Sequence, residues 1–309
     1  MKSLFWQLVN SLIKICLEIF VFDRKIRRIL KGNWAKFYLR KYVNKGVKYY
    51  KTQQSKDLQD AGDTETTERQ ASYLWQYWES ETGKIPPLVR ACLNSAAKFK
   101  GNRERILLTP ENVREYADIP EIFWKLKEKG IIKTAFFSDI LRTCLLIKYG
   151  GIWADATVLF TEEIPDYITN SDLFVFQNDL KTDLDGLNMA SYFIASKPDN
   201  PILKQTLKSL EYYWAENRFL VNYFTFLHVF TMVTQKNRDE FSKIPFFSFL
   251  PVQRLQSELL NKFSPSRWEE VKKMSGIHKL THKQSVLTKE KTINIDGTFY
   301  WHIIEEFVG

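Results

Sequence analysis

The sequence lacks the cysteines of a secreted or zinc-stabilised domain. Only three of its 309 residues are cysteine, and Cys16, Cys92 and Cys144 each lie in an apolar pattern with helical spacing. Their separations resemble no metal site. The sequence therefore predicts reduced core cysteines in a cytoplasmic protein. With 44% hydrophobic residues, a chain of this length can bury a full globular core.

Histidine is also scarce, with four in the chain. His228 lies among aromatic residues, which predicts a core residue rather than a catalyst. His278 and His282 are four residues apart, and that spacing alone is a weak metal signal. No residue has a local setting that indicates a catalytic nucleophile.

Most of the chain lacks an excess of positive charge, although the net charge of the whole chain is +9. Residues 1–56 contain 14 lysines and arginines and 2 acidic residues, a net charge of +12, and residues 57–309 have a net charge of −3. This near-neutral body weakens any proposal that the whole protein binds nucleic acid. A nucleic-acid-binding arm stays open, and strong salt dependence for RNA but not for anionic lipid would support it.

The N-terminal arm combines an apolar helix with basic and aromatic residues. Leu4 to Phe22 is strongly apolar, and no small-residue cleavage site follows it, so a signal peptide is not expected. Its polar side chains form one stripe of an amphipathic helix, at Gln7, Asn10, Ser11, Lys14 and Glu18. Three interpretations stay open: docking on the cytoplasmic leaflet of an anionic membrane, packing on the body or a second subunit, and a membrane span.

The composition predicts an arm at residues 1–56, a polar linker at 57–70 and a catalytic body at 71–309. The body begins with a predicted strand at Tyr73–Trp78 and a predicted helix at Pro86–Phe99. Alternating strands and helices predict a Rossmann-like α/β sheet, with ligands at the carboxyl ends of the strands. Asn178 to Asn188, with three aspartates, is expected to be a loop over the acceptor side.

The most informative helix and turn of the body lie at residues 137–151. Ser138 is a favourable N-cap residue, and Asp139 would follow in the first helical turn. Asp139 and Arg142 share a helix face. Gly150-Gly151 predicts the end of this helix, because glycine adopts the left-handed terminal conformation at little cost.

A strand is predicted from Ile152 to Phe160, and it contains Asp155. Carboxylates are depleted in strands and costly to bury without a partner, so some other group must compensate this one. Two interpretations stay open at this point. Asp139, Arg142 and Asp155 form either ordinary structural ion pairs or one polar rim that suits a phosphate-bearing ligand.

Two motifs carry a resemblance to a known family, namely Ser138-Asp139-x-x-Arg142 and Tyr149-Gly150-Gly151-Ile152-Trp153-x-Asp155-Ala156-Thr157. Together they resemble the capsular polysaccharide synthesis family of glycosyltransferases, which is related to the DXD-bearing sugar transferases and the large clostridial toxins. The resemblance extends from Leu74 to Leu280. It implies an α/β fold of the GT-A (Rossmann-like) type with an N-terminal helical arm.

The same resemblance implies the site residues. Asp139 and Arg142 resemble the sugar-binding pair and Asp155 the first position of the DXD element, so these three are expected to be catalytic. Trp75 is expected to stack on the nucleotide base, beside further donor-binding residues at Tyr77, Ser138 and Lys279. Thr157 replaces the second aspartate of the element. A divalent Mn²⁺ or Mg²⁺ ion is therefore expected to be held weakly, by Asp155, Thr157 and His278.

The resemblance implies retaining sugar transfer from a UDP-linked donor to a lipid-linked capsular or exopolysaccharide oligosaccharide in a bacterium. The expected location is the inner face of the plasma membrane, contacted through residues 1–56, with no nucleic acid partner and a possible homo-oligomer. Two other functions stay open: a transferase for a protein or teichoic acid acceptor, and a non-catalytic scaffold of an assembly complex. Metal-dependent UDP binding would favour an enzyme, and its absence the scaffold.

Overall fold

The computed structural model describes residues 2–60, 73–80, 83–178, 186–282 and 295–309, with side chains omitted at 56–60. Its helices, α1 to α13 in chain order, are Lys2–Phe20, Arg24–Asp60, Pro87–Lys98, Val113–Tyr116, Glu121–Glu128, Thr134–Tyr149, Asp166–Thr169, Pro201–Glu216, Thr225–Lys236, Arg238–Ser242, Leu250–Glu258, Pro265–Met274 and Phe299–Phe307. The strands, β1 to β7, are Tyr73–Tyr77, Glu104–Leu108, Gly151–Ala154, Val158–Phe160, Leu173–Gln177, Met189–Ser196 and Ile277–Lys279.

Five of these strands form a central mixed sheet in the order β2-β1-β3-β6-β5. Strands β1, β2 and β3 are parallel, and β6 is antiparallel to both β3 and β5. Strands β4 and β7 form a separate antiparallel pair. Since helices precede and alternate with the strands, the predicted α/β architecture with N-terminal helices is confirmed.

The first two helices fold into an antiparallel hairpin. Asp23 begins α2, because its carboxylate accepts hydrogen bonds from the backbone N–H groups of Lys25 and Ile26, at 2.7 and 3.0 Å. Farther along the hairpin, Trp34 Nε1 donates to Asn10 Oδ1 at 2.9 Å. Asn10 and Glu18 of the polar stripe therefore face α2, whereas the apolar residues Leu8, Leu12 and Ile15 are exposed.

Helix α2 packs into the main core through its middle, from Ala35 to Val47, against α8. Tyr38 and Tyr42 are buried against Tyr213, and the Tyr38 hydroxyl donates to Asn217 Oδ1 at 2.7 Å. Gly46 allows the closest approach, since a Cβ placed there would lie 2.2 Å from Ser209 Oγ. The alternative in which the arm packs on the body therefore holds for this part of α2. The domain division at residues 56 and 70 stays a prediction, and residues 61–70 lie outside the described residues.

Candidate active site

Helix α6 (Thr134–Tyr149) begins five residues earlier than the sequence indicated. Lys133 is its N-cap, so the prediction that Ser138 caps the helix was wrong. The additional residues Thr134 to Phe137 extend the helix at its start, and Phe136 and Phe137 among them continue its apolar face into the core. Ser138 lies inside α6, where its hydroxyl accepts a hydrogen bond from Arg142 Nη2 at 3.2 Å.

The predicted double-glycine end of α6 is confirmed. Gly150 and Gly151 have φ angles of 66° and 95°, in the region that favours glycine. A Cβ at Gly151 would lie 2.7 Å from the Tyr73 carbonyl oxygen. The two glycines thus allow the chain to turn sharply from α6 into β3, beside β1.

The single strand expected at Ile152–Phe160 is two short strands. Strand β3 ends at Ala154, and the Val158 N–H donates to the Asp155 carbonyl at 2.8 Å, which closes a turn before β4. Asp155 therefore follows the carboxyl end of a parallel strand instead of lying inside a strand. This position explains how the carboxylate is accommodated, because a turn at the sheet edge leaves room for polar partners.

Asp155 is the centre of the site. Its Oδ1 accepts hydrogen bonds from Arg142 Nη2 at 3.0 Å and from Trp153 Nε1 at 2.9 Å. Its Oδ2 accepts one from Lys279 Nζ at 2.8 Å. Burial alone would raise the pKa of this carboxyl, but Lys279 and Arg142 outweigh burial and hold the pKa below its ordinary value. Asp155 is therefore ionised at neutral pH.

Asp139 joins the cluster through Arg142, whose Nη1 donates to Asp139 Oδ1 at 2.5 Å. Arg142 thus bridges the two carboxylates while its side chain is only 4% exposed. Burial is the main cause that raises the pKa of Asp139 to about 7, with Arg142 acting in the opposite direction and Asp155 adding to the rise. The structure therefore brings the three expected catalytic residues together.

Lys279 reaches the site from β7, 124 residues along the chain from Asp155. Besides Asp155, its ammonium donates to Thr157 Oγ1 at 2.6 Å. The side chains of Lys279 and Asp155 remain 24% and 26% exposed. An anionic ligand can thus reach the Lys279 ammonium from the solvent side, while the buried Arg142 holds a second positive charge on the other carboxylate oxygen of Asp155.

His278 does not take the position expected of a metal ligand. Successive side chains of a strand point to opposite faces, so His278 points away from the side of β7 that carries Lys279. It is fully buried, with Nε2 3.1 Å from Thr161 Oγ1, and burial lowers its pKa to about 3. Because it packs beside the Trp268 ring in the interior, its assignment as a metal ligand was wrong.

The remaining expected ligands fit a divalent ion poorly. Both carboxylate oxygens of Asp155 and the hydroxyl of Thr157 already accept hydrogen bonds from cationic or indole donors. Within the described ranges, no group of three or more histidine, cysteine, aspartate or glutamate side chains is arranged to hold a metal ion. The Lys279 ammonium lies where a metal bound by Asp155 and Thr157 would need to be.

The two aromatic residues expected in the donor site, Trp75 at the nucleotide base and Tyr77 beside it, are part of the core. Trp75 is fully buried and donates from Nε1 to the Gly150 carbonyl at 3.0 Å. Tyr77 is buried against Phe137, and its hydroxyl donates to Glu79 at 2.9 Å. Neither ring offers a face to a ligand, so the base-stacking assignment of Trp75 was wrong.

Trp78 is the partly exposed aromatic residue next along the chain. It directly follows β1 and packs against the cluster of Val89, Leu93 and Ala156, the last of which lies between Asp155 and Thr157 in the sequence. On its other side, the His282 ring lies 5.2 Å away. The alternation of side chains along β1 places Trp75 in the core and leaves this tryptophan at the strand end.

Strand β6 supplies neighbours that the sequence motifs did not indicate. Ser191 hydrogen-bonds to Asp139, and the Tyr192 carbonyl accepts the Asp155 N–H at 2.8 Å. Lys279 Nζ lies 5.5 Å from the centre of the Tyr192 ring. Only the antiparallel pairing of β6 with β3 brings these residues to the site. The aspartates at 179, 183 and 185, expected over the acceptor, lie outside the described residues.

Comparison with known proteins identifies a family match across most of the chain. The family described as "Capsular polysaccharide synthesis protein" matches residues 19–303. The chain is also similar to the O-glycosyltransferase braB of Annulohypoxylon truncatum, with 25% identity over 158 residues. That alignment covers 46% of this chain and 37% of the relative, so it spans well under half the length of the relative.

Two solved structures show remote similarity. One is described as PaToxG Glycosyltransferase, with 14% identity, a TM-score of 0.41 and coverage of 90% of this chain and 98% of that one. The other is the WbbM bifunctional glycosyltransferase, with 10% identity, a TM-score of 0.38 and coverage of 80% and 54%.

Proposed function

Since the chain belongs to the capsular polysaccharide synthesis protein family, we propose that it is a glycosyltransferase for a capsular or exopolysaccharide oligosaccharide. The donor in this proposal is a nucleotide sugar, UDP-linked, and the acceptor is carried on a lipid. One observation carries it: Arg142 and Lys279 meet at Asp155, at the carboxyl end of β3, with the site open to solvent. A diphosphate leaving group requires positive charge of this kind.

The transfer step assigns a role to each of these side chains. The bond between the anomeric carbon and the β-phosphate oxygen breaks, and its electron pair stays on the nucleoside diphosphate. Arg142 and Lys279 stabilise that developing charge, while Asp139 accepts hydrogen bonds from sugar hydroxyls. The acceptor hydroxyl oxygen forms the new bond to the anomeric carbon, and its proton passes to the departing phosphate oxygen. Attack and departure on one face retain the α configuration.

The nucleotide base has a platform in this proposal. Trp78 takes the stacking role that the sequence suggested for Trp75, because it is partly exposed and packs beside Ala156 in the turn. Its indole face would contact the base while the diphosphate reaches Lys279. Replacing Trp78 with leucine would then raise the KM for the donor more than it lowers kcat.

Membrane association is the second component of the proposed function. The apolar stripe of α1, with Leu8, Leu12 and Ile15, is more than half exposed, while the polar stripe faces α2. By length and composition, Lys2–Phe20 could also cross a membrane. The core helix of a soluble protein or a signal sequence would meet the same criterion of length and composition. A cavity of about 250 Å³ next to α1, lined by Lys14 and Arg28, suits an anionic headgroup. We place the catalytic site on the cytoplasmic side.

A screen of nucleotide sugars for hydrolysis tests the donor assignment. The wild-type protein is expected to release a nucleoside diphosphate from one of them, and Asp155→Asn to lose at least about a hundredfold in rate, because the amide no longer pairs with both cations. Asp118→Asn, in an exposed ion pair with Lys148, is the matched control and should keep full activity. No turnover of any nucleotide sugar, with oligosaccharide acceptors present, would instead favour a scaffold.

A further inference from the structure

The strongest unexplained feature of the site is the position of the Lys279 ammonium. In a DXD element, a divalent ion links the protein carboxylates to the donor diphosphate. Here Thr157 stands at the second acidic position, and Lys279 Nζ lies 2.8 Å from Asp155 Oδ2 and 2.6 Å from Thr157 Oγ1. The two atoms that would bind a metal therefore hold the nitrogen of a lysine instead.

The hydrogen-bond capacity of Lys279 fits a second task. An ammonium has three N–H donors, and Asp155 and Thr157 accept two of them. The third has no hydrogen-bond partner among the residues that the structure describes, and the side chain is about a quarter exposed. A phosphate oxygen can therefore accept it without displacing either existing bond.

Arg142 supplies a second cation on the other carboxylate oxygen of Asp155. Its Nη2 lies 3.0 Å from Oδ1, and the Trp153 indole donates to the same oxygen. A metal ion would have to displace Lys279 or Arg142 and then remain beside the displaced positive charge. The electrostatic arrangement therefore opposes a divalent ion at this position.

We propose that Lys279, fixed by Asp155 and Thr157, takes the place of the divalent metal, so that the protein binds and activates the donor diphosphate without one. The inference rests on the proposed function and specifies how its leaving group is stabilised. When the bond to the anomeric carbon breaks, the electron pair moves to the β-phosphate oxygen. Lys279 stabilises that oxygen through N–H donation, the positive charge of the buried Arg142 adds to the stabilisation from behind Asp155, and no metal takes part.

Calorimetric titration of the full chain with a panel of nucleoside diphosphates, in excess EDTA and in excess Mn²⁺, tests this inference. The wild-type protein is expected to bind one of them with the same affinity in both buffers. Lys279→Met, which keeps most of the apolar stem, should lose about ten- to a hundredfold in affinity in both buffers. Lys279→Arg should recover part of that loss, because it restores the charge and N–H donors.

A matched control and a redesigned site make the test sharper. Lys129→Met removes an exposed lysine outside the described site and should leave affinity unchanged, and thermal unfolding checks that each variant is folded. The double variant Thr157→Asp with Lys279→Ala rebuilds the second acidic position and removes the ammonium. Its nucleotide affinity should rise at least about tenfold on addition of Mn²⁺.

The possible failures are distinguishable. If the wild-type protein bound a nucleoside diphosphate in Mn²⁺ but lost it in EDTA, the metal-free inference would be overturned and the proposed function would remain. Full affinity in folded Lys279→Met would likewise overturn the role of Lys279. If the folded wild-type protein bound no nucleoside diphosphate in either buffer, the proposed function would be overturned together with the inference.

Discussion

At the residue scale, Asp139 has a pKa close to neutrality, so a modest change of pH alters the protonation state of its carboxyl. Burial is the main cause of the rise from 3.8 to about 7. Since the folded-state pKa is above the ordinary value, the folded protein holds a proton that the unfolded chain has released between these two pH values. The contribution of Asp139 to stability therefore falls as pH rises from about 4 to about 7.

The corresponding prediction compares Asp139→Asn with the wild-type protein at pH 5 and pH 8. The asparagine does not ionise, so the Tm of the variant minus that of the wild type should become more positive at pH 8. Differential scanning calorimetry measures this difference in Tm. Asp118→Asn, at an exposed position, should show a nearly constant difference. A difference for Asp139→Asn that did not change with pH would contradict the raised pKa.

Activity should depend on the same titration. A protonated carboxyl accepts hydrogen bonds from sugar hydroxyls less strongly than a carboxylate, so kcat/KM for the donor should fall as pH decreases below about 7. The Asp139→Asn variant should have a low kcat/KM for the donor, and this value should no longer fall as the pH decreases below about 7. A wild-type profile that stayed flat through this range would show that Asp139 does not act as an ionised hydrogen-bond acceptor.

Some residues of the site could be predicted from the sequence, and others could not. Asp139, Arg142 and Asp155 lie within one helix–turn–strand unit, so local motifs were sufficient to group them. The contacts of Lys279 with Asp155 and Thr157 depend on the pairing of β7 with β4, which a local pattern does not reveal. Trp75 was misassigned because a tryptophan at a strand end gives the same signal whether it faces the core or a ligand.

At the scale of single elements, α1 has its polar face turned towards the protein. Glu18 pairs with Arg27 and Lys31 of α2, and Asn10 is buried. An ordinary surface helix has the opposite orientation, with its apolar face on the core. The exposed apolar stripe is next to basic residues, a combination that binds anionic lipid bilayers.

Vesicle sedimentation tests this orientation of α1. The triple variant Leu8→Glu, Leu12→Glu and Ile15→Glu should bind anionic vesicles more than about tenfold less tightly than the wild type, because each glutamate removes apolar area and adds repulsion. A matched triple variant carries the same change at exposed apolar residues of the body, Phe246, Leu250 and Met274. Equal binding by both triple variants would contradict docking through α1.

Deletion of residues 1–56 is not a suitable test of docking. It would remove Tyr38 and Tyr42 from the core, where both contact Tyr213. The buried positions of α2 recur at helical spacing, but the many lysines between them made the segment resemble a detached basic arm. The sequence alone therefore treated residues 1–56 as one segment with three open roles, whereas α1 is largely exposed and the middle of α2 is core.

At the scale of the whole molecule, the α/β class and the family were both predictable. The alternation of strands and helices indicated the sheet, and the two motifs indicated the family that matches residues 19–303. The α/β class with N-terminal helices and the family are thereby confirmed. The direction of β6 and the order of strands were not predictable, because they depend on contacts between residues far apart in the chain.

The contact of α2 with α8 should contribute to the stability of the whole protein. A Cβ at Gly46 would lie 2.2 Å from Ser209 Oγ and 2.7 Å from its backbone nitrogen. Gly46→Ala should therefore lower the free energy of unfolding by about 1–3 kcal/mol, measured by urea denaturation. Asn44→Ala, at an exposed position of the same helix, should be neutral or slightly stabilising. Equal stabilities for the two variants would contradict the close contact.

The continuity of α2 has a geometric consequence for the acceptor. The helix runs without a break for 37 residues, or roughly 55 Å, and it carries α1 at one end while its middle is fixed in the core. With α1 lying in a bilayer, the catalytic cleft would stand at a constant height above the lipid surface. A growing glycan anchored in that surface would then be extended only once it was long enough to reach the cleft. The enzyme would thus select its substrate by reach as well as by sugar chemistry.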